Sequence, residues 1–237
     1  MAMMHYPWLY DERRQVGTDY ADEANVANYD ANMRTLRNIA QEVEVAARAL
    51  AATPASSIWE IGCGTGEISL GLAGKCHRVY ASDVSSPMIA FARTKAAERH
   101  IENVSFEEGG FLSGFRPPQP VNGVVSQLAL HHLPDLWKLT ALRRVAAALT
   151  PGGRLFLRDV VYPSRVPDYN AYFAGLVAGV RREGGDELAE QTIAHIREEY
   201  STFAWVIEEM LQQAGFAVVE TLPERFTTSY TCVKQGR

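Results

Sequence analysis

The chain has 237 residues, a formal net charge of −5 and a pI of about 5.7, and 47% of its residues are hydrophobic. This length supports one large α/β core, and the acidic balance supplies no overall positive field for nucleic acid. No apolar run approaches the roughly 20 residues that a membrane span requires.

The spacing of the cysteines favours a reducing compartment. Cys63, Cys76 and Cys232 lie far apart and form no metal-type pair, which favours a reducing environment. Residues 1–14 lack a basic start followed by an apolar core, so we do not expect a signal peptide. We therefore expect a cytoplasmic globular protein.

Residues 1–54 are predicted to form an N-terminal arm followed by a helix. The arm is rich in aromatic residues, among them Tyr6, Trp8, Tyr10 and Tyr20, so it should fold onto the rest of the protein. From residue 33 to residue 50 apolar residues recur at three- and four-residue steps. This period predicts an amphipathic helix that ends at Thr53-Pro54.

Alternating strand and helix patterns follow, and they predict a parallel sheet with crossover helices. A helix after the second strand is expected to be capped by Ser86, with Pro87 at its first position. A further helix is predicted over residues 136–149. The predicted strands cover residues 58–61, 78–82, 103–107, 123–127 and 154–158.

Three glycines at alternate positions follow the first predicted strand and force a tight turn before a helical pattern. Such a turn presents free backbone N–H groups to an anionic ligand. In a dinucleotide fingerprint the third glycine comes three residues after the second, whereas here Gly66 follows Gly64 by two.

Glu60-Ile61-Gly62-Cys63-Gly64-Thr65-Gly66 resembles the first motif of the class I S-adenosylmethionine (SAM)-dependent methyltransferases. The resemblance implies a three-layer, Rossmann-like fold with a seven-stranded, mostly parallel sheet whose last strand is antiparallel. It also implies SAM as the cofactor. The implied cofactor-binding residues are Glu60, Gly62, Cys63, Gly64, Asp83, Val84, Met88, Gly110, Phe111, Ser126 and Gln127.

Individual roles follow from position within this pattern. Asp83 ends the second strand, where a carboxylate can accept both ribose hydroxyls of a nucleoside. Val84 and Met88 would pack beside the adenine, although Met88 is also a plausible core residue. Glu60 would face the methionyl ammonium, or else make a structural hydrogen bond at the strand end.

One position departs from the family pattern. Members usually carry an acid after the third strand that contacts the adenine amino group, and here that position is Gly110. The Phe111 N–H can still serve the adenine ring nitrogen. Ser126 and Gln127 end the fourth strand, where the resemblance implies a loop over the methionine part of the cofactor.

The candidate catalytic residues are His131, Asp159 and His195, with Tyr162 and Glu199 as further candidates for a general base. His195 and Glu199 are four residues apart on one helical face. No metal site is expected, since adjacent histidines point apart on an extended chain and no third ligand is near in sequence.

The remaining chain is predicted to complete a single methyltransferase domain over residues 1–237. Helices are expected at 168–182, 186–200 and 203–213, and closing strands at 216–222 and 226–233. We expect the arm and the helical insertion 160–215 to close over the methyl group and form the acceptor pocket. The alternative is that the arm covers a sheet edge or mediates a homodimer.

The predicted function is methyl transfer from SAM to a small-molecule acceptor, with neither membrane nor nucleic acid as partner. One alternative is a non-catalytic SAM-binding regulatory subunit. Another is an NAD-dependent oxidoreductase, which the glycine spacing and the preceding Glu60 disfavour.

Overall fold

The computed structural model describes residues 8–14, 30, 37–224 and 226–236, and strands and helices alternate through most of this chain. The helices are α1 (Ile39–Ala49), α2 (Glu67–Leu72), α3 (Ser86–Glu98), α4 (Asp135–Ala148), α5 (Tyr169–Glu198) and α6 (Ala204–Gln213). The strands are β1 (Ser57–Ile61), β2 (Arg78–Asp83), β3 (Val104–Glu108), β4 (Val121–Gln127), β5 (Leu149–Tyr162), β6 (Thr202–Phe203), β7 (Phe216–Pro223) and β8 (Thr227–Lys234).

Seven strands form the sheet, in the order β3-β2-β1-β4-β5-β8-β7, and the short β6 pairs with the end of β5. Strands β1 to β5 run parallel to one another. The last strand, β8, runs antiparallel to both β5 and β7. The predicted seven-stranded sheet with an antiparallel last strand is confirmed. Strand order reverses between β1 and β4, which opens a crevice at their carboxyl ends.

Alternate residues of the central strands bury opposite faces of the sheet. Trp59 on β1 and Leu155 on β5 pack on one face with residues of α4 and α6. Their neighbours Ile58 and Phe156 pack on the other face with residues of α1 and α2. Because both faces are covered by helices, β1 and β4 are buried at nearly every position, and the sheet forms the middle of three layers.

Some element boundaries differ from the sequence predictions. Ser85 caps α3, and its Oγ accepts the Met88 N–H at 3.3 Å, so Ser86 is the first helical residue and Pro87 the second. The prediction of Ser86 as the cap was wrong by one residue. The helices expected at 168–182 and 186–200 correspond to the two parts of α5, and the predicted break between them is confirmed, because Gly185 has non-helical backbone angles (φ 84°, ψ −179°). No helix among the described residues has the length and apolar character needed to cross a bilayer.

Two glycines with similar positive φ angles allow the cost of a steric collision to be separated from the cost of backbone strain. Gly62 has φ +74°, and a Cβ there would lie 2.4 Å from the Ala129 Cβ. Gly152 has a similar φ of +71° with nothing within 4 Å of its Cβ position. We expect Gly152→Ala to cost about 1 kcal/mol of unfolding free energy from backbone strain alone. Gly62→Ala should cost a further 1–3 kcal/mol, roughly, because of the collision.

Urea denaturation of both variants and the unaltered chain measures this difference. Equal midpoints for Gly62→Ala and Gly152→Ala would contradict close packing between the glycine turn and the loop after β4.

Candidate functional site

A cavity lies at the carboxyl ends of β1, β2 and β4, at the reversal of strand order. Ten of the eleven residues predicted to bind the cofactor line it: Glu60, Gly62, Cys63, Gly64, Asp83, Val84, Met88, Gly110, Phe111 and Gln127. Ser126 is not among the lining residues, since its hydroxyl donates to the Ile61 carbonyl oxygen at 2.9 Å. The fold therefore brings together side chains that are up to 67 positions apart in sequence.

Asp83 holds the glycine turn in place. Its Oδ2 accepts the Gly64 N–H at 2.8 Å, and its Oδ1 accepts the Ser85 N–H at 2.9 Å. Burial raises the pKa of the Asp83 carboxyl, and these N–H donors partly oppose that rise. Each carboxylate oxygen retains a further lone pair for a donor in the cavity.

Glu60 is a buried acid at the end of β1. It accepts a hydrogen bond from the Ser69 hydroxyl, and burial raises its pKa to about 8. A cationic ligand group placed beside it would favour the ionised carboxylate. Glu60 therefore makes the structural hydrogen bond and also lies in the cavity wall, so the two interpretations of this residue are compatible.

Gln127 presents an unsatisfied amide to the cavity. Its side chain is 6% exposed, and neither its Oε1 nor its Nε2 has a hydrogen-bond partner among the described residues. A buried amide without a partner costs free energy, so its position favours a polar ligand in contact with it.

The N-terminal segment also contributes to the wall, through Glu12, Arg14 and Asp30. Asp30 accepts from Lys95 Nζ at 2.7 Å and from the Thr65 hydroxyl. Tyr6 and Tyr20 lie outside the described residues. None of the described residues of 160–215 lines this cavity, so the expected contribution of the insertion to the pocket is not seen there.

The insertion instead joins a buried chain of imidazoles and carboxylates. The ring of His131 lies between Asp159 Oδ1, which pairs with its Nδ1, and Glu199 Oε2, which lies 3.1 Å from its Nε2. Glu199 Oε2 also lies 2.6 Å from His195 Nδ1, and His195 Nε2 contacts the Ser201 hydroxyl at 2.8 Å. The three predicted catalytic residues are therefore brought together, with Glu199 as the link between the two histidines.

Opposite charges set the protonation of this cluster. Burial alone would lower the pKa of His131, but Asp159 and Glu199 raise it to about 9. Burial opposes ionisation of both acids, yet the pairing with His131 holds the pKa of each below its usual range. At neutral pH, His131 is thus an imidazolium held between two carboxylates, with no free nitrogen lone pair.

His132 is the imidazole that lines the cavity, and sequence analysis did not single it out. Its ring centroid is 4.3 Å from that of His131. Burial and the charge of His131 lower the His132 pKa to about 4, so this ring is neutral at pH 7. The residues Leu130–His132 form a 3-10 turn rather than an extended strand, which is why the neighbouring rings lie close together.

The expectation that the adjacent histidines point apart was wrong for this turn. Ligand atoms of His131, His132 and Glu199 all lie within 4.8 Å of one another, and Glu199 is far from the two histidines in sequence. The absence of a metal site stays a prediction, and His131 is already held between two carboxylates. Tyr162, a further candidate base, packs against Phe173 at a centroid distance of 5.0 Å and does not line the cavity.

Comparison with known proteins identifies related chains. A family model described as a methyltransferase domain matches residues 58–153. An uncharacterized methyltransferase of Anoxybacillus flavithermus is 32% identical over 178 residues, covering 75% of this chain and 77% of that protein.

Two solved structures have a similar fold. One is a SAM-dependent methyltransferase from Clostridium acetobutylicum, with a TM-score of 0.67 and 12% identity, covering 90% of this chain and 98% of that one. The other is magnesium protoporphyrin IX methyltransferase from Synechocystis with bound S-adenosylhomocysteine (SAH), with a TM-score of 0.64 and 19% identity. That match covers 91% of this chain and 98% of the other.

The His131 cluster predicts a pH dependence of stability. The His131 pKa rises from 6.5 to about 9 on folding, so the folded chain binds this proton more tightly than the unfolded chain. The resulting stabilisation, on the order of 3 kcal/mol, is fully present below pH 6.5 and is lost as pH rises through 9.

Urea unfolding at pH 6, 7.5 and 9 measures this loss in the unaltered chain and in His131→Gln. Glu60, with a pKa of about 8, lowers the stability of both proteins as the pH rises, so its contribution cancels in their difference. That difference reports His131 together with Asp159 and Glu199, whose pKa values depend on it. Parallel pH profiles for the two proteins would show that His131 is not held as an imidazolium.

Proposed function

The chain belongs to the class I SAM-dependent methyltransferases, and we propose that it methylates a small organic acceptor. The cofactor is SAM, and its place is the cavity at the reversal of strand order. The observation that carries the proposal is that the glycine turn, Asp83, Glu60 and the unsatisfied Gln127 amide all line this one cavity. Neither of the two alternative functions has support from the comparisons.

The donors and acceptors of the cavity fit the parts of SAM. We assign Asp83 to the ribose hydroxyls, because its oxygens keep free lone pairs while they hold Gly64 and Ser85. Glu60 suits the methionyl ammonium, since a cation would stabilise its buried carboxylate. Gln127 supplies the amide that has no other partner among the described residues. Val84 and Met88 offer apolar surface for the base.

The bound cofactor supplies a methyl group on a sulfonium, which is already activated for displacement. The protein therefore has to align the acceptor, exclude water and, for a protonated acceptor, remove a proton. We assign the proton-accepting role to His132, which is neutral and lines the cavity. His131, Asp159 and His195 then act as positioning residues, because their nitrogens and oxygens are engaged with one another or with Glu199 and Ser201.

The net charge supports a small acceptor over a nucleic acid. The cavity wall itself is mixed in charge, because Arg14 and Arg37 line it together with Glu12, Asp30 and Asp83. The net charge of −5 supplies no overall positive field for a polyanion.

Cofactor binding can be tested without knowledge of the acceptor. We expect the protein to bind SAH and not NAD in calorimetric titration. Asp83→Ala should lower SAH affinity about 30- to 150-fold, because two charge-assisted hydrogen bonds are lost. Asp186→Ala, at a carboxylate with 86% exposure, is the control.

Two results would overturn the assignment. Binding of NAD in preference to SAH would exclude the proposed cofactor site. An Asp83→Ala affinity within twofold of the unaltered chain would show that Asp83 does not hold the ribose.

The acceptor class and the role of His132 are tested by transfer of labelled methyl from SAM. The assay compares a panel of small thiols, amines, phenols and carboxylic acids with RNA and with protein. With the accepted substrate, His132→Asn should lower turnover about 100-fold or more if the acceptor carries a proton, while SAH affinity stays the same. His100→Asn, at an exposed position remote from the cavity wall, is the control.

Methylation of RNA or protein alone would contradict the small acceptor. Full turnover by His132→Asn with a protonated acceptor would exclude His132 as the base.

A further inference from the structure

Glu12 reaches from the N-terminal segment into the cavity wall beside Gly110. Its Oε1 accepts the Leu112 N–H at 3.0 Å, the Ser113 N–H at 2.6 Å and the Ser113 hydroxyl. Among the described residues, its Oε2 accepts only the Leu112 N–H, at 3.0 Å. The carboxylate is thus fixed by a loop that lies 100 residues further along the chain, and Oε2 retains capacity for another donor.

The Glu12 carboxylate occupies the space that a side chain at residue 110 would need. A Cβ on Gly110 would lie 2.6 Å from Glu12 Oε2, 2.7 Å from its Cδ and 2.8 Å from its Oε1. Any residue larger than glycine would collide with this carboxylate. Gly110 and Glu12 are therefore complementary: the missing side chain at one position makes room for the carboxylate from the other.

The polar groups of this wall match the edge of an adenine. That edge carries an amino donor next to a ring-nitrogen acceptor, so it needs a protein acceptor beside a protein donor. The N–H of Phe111 donates to no other residue in the described part of the chain, and Phe111 lines the cavity with Glu12. Glu12 Oε2 supplies the acceptor.

The other carboxylates of the cavity are engaged elsewhere. Asp83 bonds to Gly64 and Ser85 at the end of β2, where it faces the ribose. Glu60 pairs with Ser69. Asp30 and Glu67 both pair with Lys95, at 2.7 and 2.5 Å. Glu12 is thus the acid next to Gly110 and Phe111.

We propose that Glu12 recognises the adenine amino group of the cofactor, in place of the acid that position 110 lacks. This inference depends on the proposed cofactor site and assigns a specificity role to the N-terminal segment. Because the same carboxylate binds the loop at Leu112 and Ser113, adenine binding and the docking of residues 8–14 are thermodynamically linked: each favours the other.

The test is calorimetric titration with SAH and with its purine-riboside analogue, in which a hydrogen replaces the 6-amino group and the ring nitrogen remains an acceptor for the Phe111 N–H. The unaltered chain should bind SAH about 10- to 100-fold more tightly than the analogue, because the analogue offers no donor to the Glu12 carboxylate. Glu12→Ala should weaken SAH by a similar factor and remove most of this preference. Glu108→Ala, at an exposed acid near the same loop, should change neither value.

A second variant restores the carboxylate from the other position. Gly110→Asp alone places a second carboxylate against that of Glu12, whose flexible side chain has to shift, so SAH binding should weaken. In the double variant Glu12→Ala/Gly110→Asp the collision is absent and an acid is again present, so both SAH affinity and the preference over the analogue should recover to within about fivefold of the unaltered chain.

The outcomes separate this inference from the proposed function. If the unaltered chain does not bind SAH, the proposed function itself fails. If it binds SAH but Glu12→Ala keeps the preference over the purine-riboside analogue, Glu12 does not contact the amino group. An equal loss of affinity for both ligands, without recovery in the double variant, would show a purely structural role and would also overturn the proposal.

Discussion

The hydrogen bond from the Gly64 N–H to the Asp83 carboxylate is the contact on which the rest of the cavity depends. It joins the turn after β1 to the end of β2, while the Gly62 and Cys63 N–H groups donate to the Ser82 carbonyl at 2.8 and 3.1 Å. These contacts hold the glycine turn in its left-handed conformation. They also keep a buried carboxylate at the strand end, where desolvation strengthens its interaction with any donor that enters.

A second set of charges joins the insertion to the sheet. Glu199 follows α5, and its carboxylate contacts His131 after β4, which in turn pairs with Asp159 on β5. Lys138 adds contacts to Asp135 and to the Tyr200 carbonyl. Because the His131 imidazolium is shared by two acids, its removal would leave the buried Asp159 carboxylate without its cationic partner. The cluster therefore orders the loop that carries His132 into the cavity.

The sequence predicted the features that depend on short-range patterns. Strand and helix alternation, the glycine turn and the position of Asp83 all follow from local spacing and from the rule that parallel strands end at one edge. Contacts between residues that are far apart in the chain produce no such pattern in the sequence. The pairing of Glu199 with His131 and the packing of Glu12 against Gly110 could not be located in this way, and adjacent serines at 85 and 86 are both acceptable helix caps.

Gly110, which departs from the family pattern, and the acidic N-terminal arm are two separate sequence features with one physical explanation. A glycine where related enzymes carry an acid indicates a lost contact when it is considered alone, and an acidic N-terminal arm indicates little. Together they place a carboxylate at the same point of the wall, delivered from residue 12. A site of this kind is complete only when the arm is docked. In the proposed complex, the docking of the arm and the recognition of the adenine therefore depend on one carboxylate, since Glu12 also binds the loop at Leu112 and Ser113.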